Sequence, residues 1–527
     1  MLVPTRAPSS ALPPPIDPDV SGVLEDAAHY PGGSASGRCT PASVEDVSSV
    51  LRDGVRTLVI GAQSSLTGGA TPFGDRVVST ARLNEVRVSG DRVHASAGAT
   101  LQSIQDQLRA VGRWLPPVPT YLGAFAGGAV ATCAAGAATF KYGTVRDWVD
   151  GITVVLAGGD VLDIARGRYR ADADGLFDIV TSTGVRRVCV PAIRMPDVPK
   201  RSAGYFSAPG MDLIDLFIGS EGTLGIITDV RFRTAALPAG VCRAFVPVSS
   251  EAAAIALVGE LREAAQASWR TGDPNGIDVS AIEHMDARSL QVIREDGVDH
   301  RLEITLPSGA AVGLLIDLEL STREADEALW SQLESVRDAD AVEAPLVRFC
   351  RVLDRHGVLD DTEISLPGDR ARASAFADLR EAVPAGVNRR VALAKQADAS
   401  ISKTAADMIV PFERFGDMMA ECRRLFAERN LDLAVWGHIS DGNVHPNVIP
   451  RSARDVELGR DAILALGRSV IAMGGCPLAE HGVGRNASKQ ALLRQLYGDA
   501  GIGAMRAVKR SLDPLGLIAP GVIFPAE

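Results

Sequence analysis

Apolar positions along the chain change period several times, and each change marks an element. SVEDVSSVLRDG (43–54) spaces its apolar residues as a helix does, and VRTLVIGA (55–62) reads as a buried strand opening into the glycine-rich stretch Val59–Pro72. GITVVLAGGDVLDI (151–164) carries two apolar runs around Ala157-Gly158-Gly159-Asp160, a hairpin signal, and GSEGTLGIITDVRFR (219–233) closes an α+β block near residue 236. From about 240 to 475, helical patterns at 251–265, 412–428 and 455–472 alternate with short strands at 311–320, 431–439 and 445–449, the pattern of a second α/β domain. The tail at 491–524 reads as two helices and a Pro/Gly stop, and the first ~30 residues read as a loose, proline-rich arm.

A chain of 527 residues has room for two or three domains, so a site built from distant segments is expected. Net charge is −11 with basic residues scattered, which removes the electrostatic footprint of a nucleic-acid binder. Seven cysteines, odd in number and without a CxxC pair, argue against a disulfide framework or thiolate zinc site and favour a reducing cytoplasm. The N-terminus lacks a signal-peptide h-region, and no apolar run reaches the ~18 residues that span a bilayer.

Three of the eight histidines lie between residues 438 and 481, in GHISDGNVHPN (His438, His445) and AEHGVG (Glu480, His481). A strand, a turn of Ser440, Asp441, Gly442 and Asn443, and a second short strand can bring His438 and His445 to one point. With Glu480 they form the two-His, one-carboxylate set of a catalytic divalent ion that keeps positions open. His481 is the expected base, since a neighbouring cation disfavours protonated imidazole.

The glycine-rich loop offers backbone N–H and hydroxyl donors from Gly61, Ala62, Gln63, Ser64, Ser65, Leu66 and Thr67, a set suited to pyrophosphate. It is neither a P-loop nor GxGxxG. Small residues are also dense at Tyr121–Val149 and Ile218–Val230, as a large planar ligand lying against backbone requires.

With AGGAVAT, KYGTVRDWV, GSEGTLGIIT, GHISDGNVH, EHGVG and LDPLGLIAPG in order, the chain resembles the vanillyl-alcohol oxidase/para-cresol methylhydroxylase flavoproteins, in the D-2-hydroxyacid dehydrogenase branch that includes D-lactate, glycolate and D-2-hydroxyglutarate enzymes. The resemblance implies an α+β fold. A 1–37 arm would precede a two-subdomain FAD-binding domain of the PCMH type (38–236), an α/β substrate cap carrying the metal site (237–485) and a C-terminal return (486–527). It implies that Gly61–Thr67 hold the FAD pyrophosphate and that Gly127, Gly128, Thr132, Gly136, Tyr142 and Gly143 line the flavin, with Glu221 and Ile227 near the nucleotide. It implies a divalent ion, zinc before manganese or iron, on His438, His445 and Glu480, with His481 as base. Asn447 and Arg380 then match positions that contact the substrate.

Four departures stand out. Ala62, Gln63 and Ser64 leave no histidine or cysteine in the cradle to bond the flavin covalently, so the FAD is expected to be dissociable. Cys133 and Ala519 each stand where this branch commonly has asparagine, and the segment between Val383 and Pro411 is longer than usual, so either Lys395, Lys403 or neither serves a second acid group. The expected function is FAD-dependent, metal-assisted oxidation of a small 2-hydroxyacid to its 2-oxoacid. A non-redox flavoenzyme of the alkyl-dihydroxyacetone-phosphate synthase type and a flavin-free metal hydrolase are the rivals, the first disfavoured by the lack of a histidine-dense segment. Electron acceptor and oligomeric state, a homodimer among the options, are left open.

Overall fold

The computed structural model describes residues 2–338 and 340–526. Two compact units emerge, one from residues 1–136, 143–237 and 476–527, the other from 137–142 and 238–475. The expected division kept Glu480 and His481 with the cap; by packing they belong to the first unit, because the chain returns there at Cys476.

In the first unit, Thr57–Ile60 and Ser34–Cys39 flank Phe73–Ser79 in a parallel three-stranded sheet. Its neighbour in the chain, the helix Val44–Arg52, starts where the Ser43 side chain accepts from the Asp46 N–H, and its Val47, Val50 and Leu51 are buried. A five-stranded antiparallel sheet follows, in which Val149–Val155 and Val161–Ala165 form the hairpin read from the sequence. The arm departs from expectation. Leu2–Pro4 pairs in parallel with Leu176–Thr181 and buries Val3, a three-residue strand too short to show a period. The tail is two helices, as expected: Ala487–Leu512 is broken at Gly498, where the backbone is non-helical.

The second unit is built on an 8-stranded sheet whose strands pair antiparallel throughout. Its middle runs Gly240–Val248, Val312–Leu320, Val279–Asp286, Leu433–His438, Asn443–Val448. One face carries a core of Phe245, Met285, Leu315 and Trp436 against Phe376, Leu379, Val383 and Val387 of the helix Arg370–Ala397. That helix, which runs through Pro384, absorbs much of the lengthened 383–411 segment. The helix Phe415–Ala427 buries Phe415, Cys422 and Phe426 at the spacing read from the sequence. Among the described residues no helix is long and apolar enough to cross a membrane, and all seven cysteines are unbridged.

Candidate active site

The glycine loop leaves its sheet after Ile60. Gln63 adopts a left-handed backbone (φ 51°), and its side-chain amide donates to the Val23 and Ala70 carbonyls at 3.0 and 2.9 Å, which closes the loop on itself. Ser65 and Thr67 hydroxyls bond each other at 3.0 Å, and the Thr67 carbonyl accepts from the Arg485 N–H. By contrast, the N–H groups of Gly61 through Leu66 have no acceptor among the described residues. Gly61 to Ser65 are half-buried and Leu66 is exposed; consecutive donors without protein acceptors are met by an anion or water, so the loop fits a dinucleotide pyrophosphate. The small-residue segment divides by cause. A Cβ on Gly127 would lie 2.6 Å from that of Ala97, and one on Gly136 would strike the Val118 carbonyl, so these two are glycine for internal packing. Gly128 faces open space, and the Thr132 hydroxyl donates back to the Gly128 carbonyl. Ile227 is buried in the strand Ile226–Arg233.

Also in the first unit, Glu221 accepts from the Val483 and Gly484 N–H groups at 2.7 Å each. Burial pushes its carboxyl up to about 7, against those bonds and Lys489. Glu221 thus ties down the segment that bears Glu480 and His481. Fully buried Lys200 sits 2.8 Å from Glu480, and His481 Nε2 lies 3.9 Å from the other Glu480 oxygen. Lys200 belongs to no motif read from the sequence.

In the second unit the histidine hairpin forms as expected. Leu433–His438 pairs with Asn443–Val448 so that Trp436 faces His445 and His438 faces Asn443, which puts both imidazoles on one side of the sheet. Their rings are 5.6 Å apart and nearly perpendicular. The turn Ile439–Asp441 ends at Gly442, whose φ of 84° and contact with the Val410 carbonyl exclude a side chain. Each imidazole has a carboxylate behind it: Glu283 lies 3.0 Å from His438 Nδ1 and Asp407 3.4 Å from His445 Nδ1. Asp407 also accepts from Asn443 Nδ2 at 3.0 Å. A carboxylate at Nδ1 fixes the tautomer and directs Nε2 outward, the arrangement that supports metal-ligating histidines. Glu283 reaches further, to Arg380 Nε at 3.2 Å, and Arg380 also pairs with Glu381. Asn447 is buried, its amide donating to the His445 carbonyl at 2.8 Å.

Comparison with known proteins decides the family. Residues 248–523 match the C-terminal domain of FAD linked oxidases, and residues 35–165 match an FAD binding domain. The chain belongs to the FAD-linked oxidases. Among relatives of this oxidase, the glycolate oxidase subunit GlcD of Bacillus subtilis is 27% identical over 89% of this chain and 83% of that protein. A probable mitochondrial D-lactate dehydrogenase of Danio rerio is 26% identical over 92% and 83%, and a mitochondrial D-2-hydroxyglutarate dehydrogenase of Rattus norvegicus 29% over 92% and 78%. An alkyldihydroxyacetonephosphate synthase structure shares the fold, with a TM-score of 0.59 at 15% identity, covering 98% of this chain and 88% of that one.

Against this FAD-linked oxidase fold, the departures at Cys133 and Ala519 acquire a shared cause. Both residues sit at left-handed backbone positions, with φ of 51° and 45°. Asparagine tolerates that region better than other non-glycine residues, and cysteine or alanine there is strained. Tyr142, expected at the flavin, falls with the second unit, where its hydroxyl donates to Glu319 at 2.6 Å; burial and then the Glu319 charge push the phenol up. Lys395 is exposed near the end of its helix. Lys403 precedes the Thr404–Ala405 strand, which pairs with Val448 and Asn447, and crowding by surrounding protein lowers its ammonium pKa. Sequence reasoning missed Glu283, Asp407 and Lys200, since each lies tens to hundreds of residues from its partner.

Proposed function

We propose that the protein oxidises a small 2-hydroxyacid of D configuration to the 2-oxoacid, with non-covalent FAD and a divalent metal, zinc before manganese or iron. What carries the metal part is the pair His438 and His445, each with a carboxylate behind Nδ1. What supports the substrate class is the printed activity of the relatives: glycolate oxidase, D-lactate dehydrogenase and D-2-hydroxyglutarate dehydrogenase. When bound, the flavin would supply a hydride acceptor and the ion would lower the pKa of the substrate hydroxyl.

The residues then have separate tasks. His438, His445 and Glu480 would hold the ion. His481 accepts the hydroxyl proton. Gly61–Thr67 hold the pyrophosphate through backbone donors, and Gly127, Gly128, Thr132, Gly136, Tyr142, Gly143, Glu221 and Ile227 belong to the flavin's surroundings. Asn447 and Arg380 orient substrate, the latter steadied by Glu283. Of the two lysines, Lys403 meets a second acid group, since it adjoins the strand that pairs with Asn447. A cytoplasmic setting rests on the seven unbridged cysteines, although two of the relatives are mitochondrial by name.

The test is anaerobic mixing of the FAD-loaded enzyme with D- and L-hydroxyacids, with and without chelator, while flavin absorbance is followed. D-acids bleach the flavin and chelator stops them; His481→Ala retains flavin and metal but slows bleaching by at least ~10²-fold. No bleaching by any acid in metal-replete protein overturns the reading, and bleaching indifferent to chelator overturns its metal part.

A further inference from the structure

Behind the histidine hairpin runs a ladder of rings interrupted by one guanidinium. Trp269 packs on Phe140 with ring centroids 5.0 Å apart. Arg262 lies between Phe140 and Phe412, its Cζ 4.8 and 4.3 Å from the two ring centres. Phe412 stacks on Phe415 at 6.4 Å, and Phe415 meets His284 edge-on at 5.9 Å. All of these residues belong to the second unit, but Phe140 arrives from residues 137–142, an insertion from the stretch of sequence otherwise in the first. Lys141 fastens that insertion with ion pairs of 2.7 Å to Asp278 and Glu319, and Tyr142 adds its bond to Glu319.

At the centre of the ladder, Arg262 Nη1 donates to the Ser440 carbonyl. Ser440 is the middle of the turn that joins the two histidine strands, and its hydroxyl accepts from the Ile282 N–H at 3.1 Å. The turn is bracketed by Gly437 (φ 151°) and Gly442 (φ 84°), two residues that offer little resistance to backbone rotation. Beyond the turn's own bonds, from the Gly442 N–H to the Ile439 carbonyl and from the Asn443 N–H to the Asp441 carboxylate, contacts from outside add to its stiffness. A guanidinium can stack on two rings and still direct an N–H at a carbonyl, which an ammonium cannot do with the same geometry.

We propose that Arg262, clamped by Phe140 and Phe412, is a positioning residue that fixes the Ile439–Asp441 turn and with it the spacing of His438 and His445. Its contacts are the Ser440 carbonyl and the two rings. The proposal rests on the metal reading above, and the pair of imidazoles 5.6 Å apart is what it would hold in register.

The experiment uses the FAD-loaded enzyme and its Arg262→Ala, Arg262→Lys and Phe140→Leu variants. Zinc affinity is measured by competition with a chelator, and the visible spectrum is recorded after cobalt substitution; flavin content and melting temperature serve as controls. Arg262→Ala is expected to keep its flavin, bind zinc at least ~10-fold more weakly and shift the cobalt bands, the scale on which outer residues act on a metal site. Arg262→Lys recovers only part of the affinity, and Phe140→Leu falls between lysine and parent. If Arg262→Ala does not fold, the other two variants carry the test through the same ranking. Zinc affinity and cobalt bands equal to the parent's in every folded variant overturn the proposal alone. A parent that binds no divalent ion overturns it together with the metal reading.

Discussion

The glycine loop at Gly61–Thr67 and the hairpin at Leu433–Val448 are both candidate ligand sites, but they are made in opposite ways. In the loop, side chains are spent on holding its path: Gln63 donates to the Val23 and Ala70 carbonyls and Ser65 bonds Thr67, while the N–H groups of Gly61–Leu66 have no acceptor among the described residues. In the hairpin the backbone is consumed by strand pairing, and the imidazoles carry the binding capacity, each backed by a carboxylate. The first site tolerates changes of side chain that leave its path intact; the second depends on particular atoms.

That contrast gives a ranked set of outcomes. His438→Ala is expected to abolish metal binding while FAD content stays at parental level, measured by metal analysis and the flavin spectrum. Glu283→Gln, which leaves His438 without its carboxylate, should weaken metal by roughly 10–100-fold. Parental affinity in that variant would remove the outer carboxylates from the account.

Acid titration probes the same sheet from behind. His284 is buried with neither ring nitrogen hydrogen-bonded, and burial pushes its pKa down to about 3 from 6.5. Between those values the unfolded chain binds the proton and the folded one does not. Stability from this group is complete above about pH 6.5 and is lost as pH falls toward 3, with a slope of up to about 1.4 kcal/mol per pH unit. His284→Leu should flatten that limb of the denaturation profile.

In the loop, Ser65→Ala should cost FAD affinity only about 1 kcal/mol, one neutral hydrogen bond, because the N–H donors remain. A loss as large as that of metal in His438→Ala would erase the contrast. Smallest of all, Cys133→Asn and Ala519→Asn should each stabilise the protein, by up to about 1 kcal/mol in thermal melts, through relief of left-handed strain.

Legibility in the sequence followed the same line. Elements with a local period were readable: the helix Val44–Arg52, the hairpin around Gly158 and the histidine strands all stand where the pattern puts them. Leu2–Pro4 was not, because three residues show no period and the partner strand lies some 175 residues away. Among site residues, those in motifs were visible and those supporting them were not. Glu283 sits in an ordinary strand 155 residues before His438, and only sheet register makes them neighbours. Lys200, between Pro199 and Arg201, gives no hint that its ammonium is buried on Glu480. Glu221 was visible as part of GSEGTLG, yet its carboxylate serves the backbone of Val483 and Gly484.

The alternation of the chain between its two units has a consequence for biogenesis. It passes over at residues 136/137, 142/143, 237/238 and 475/476, so neither unit corresponds to one continuous stretch of message. Residues 238–475 are synthesised before Cys476–Glu527 exists, and the second unit can mature during translation while the first waits, holding an unfilled place for Glu480, His481 and the closing helices. Truncation after residue 475 would then leave the second unit whole and the first without its last segment.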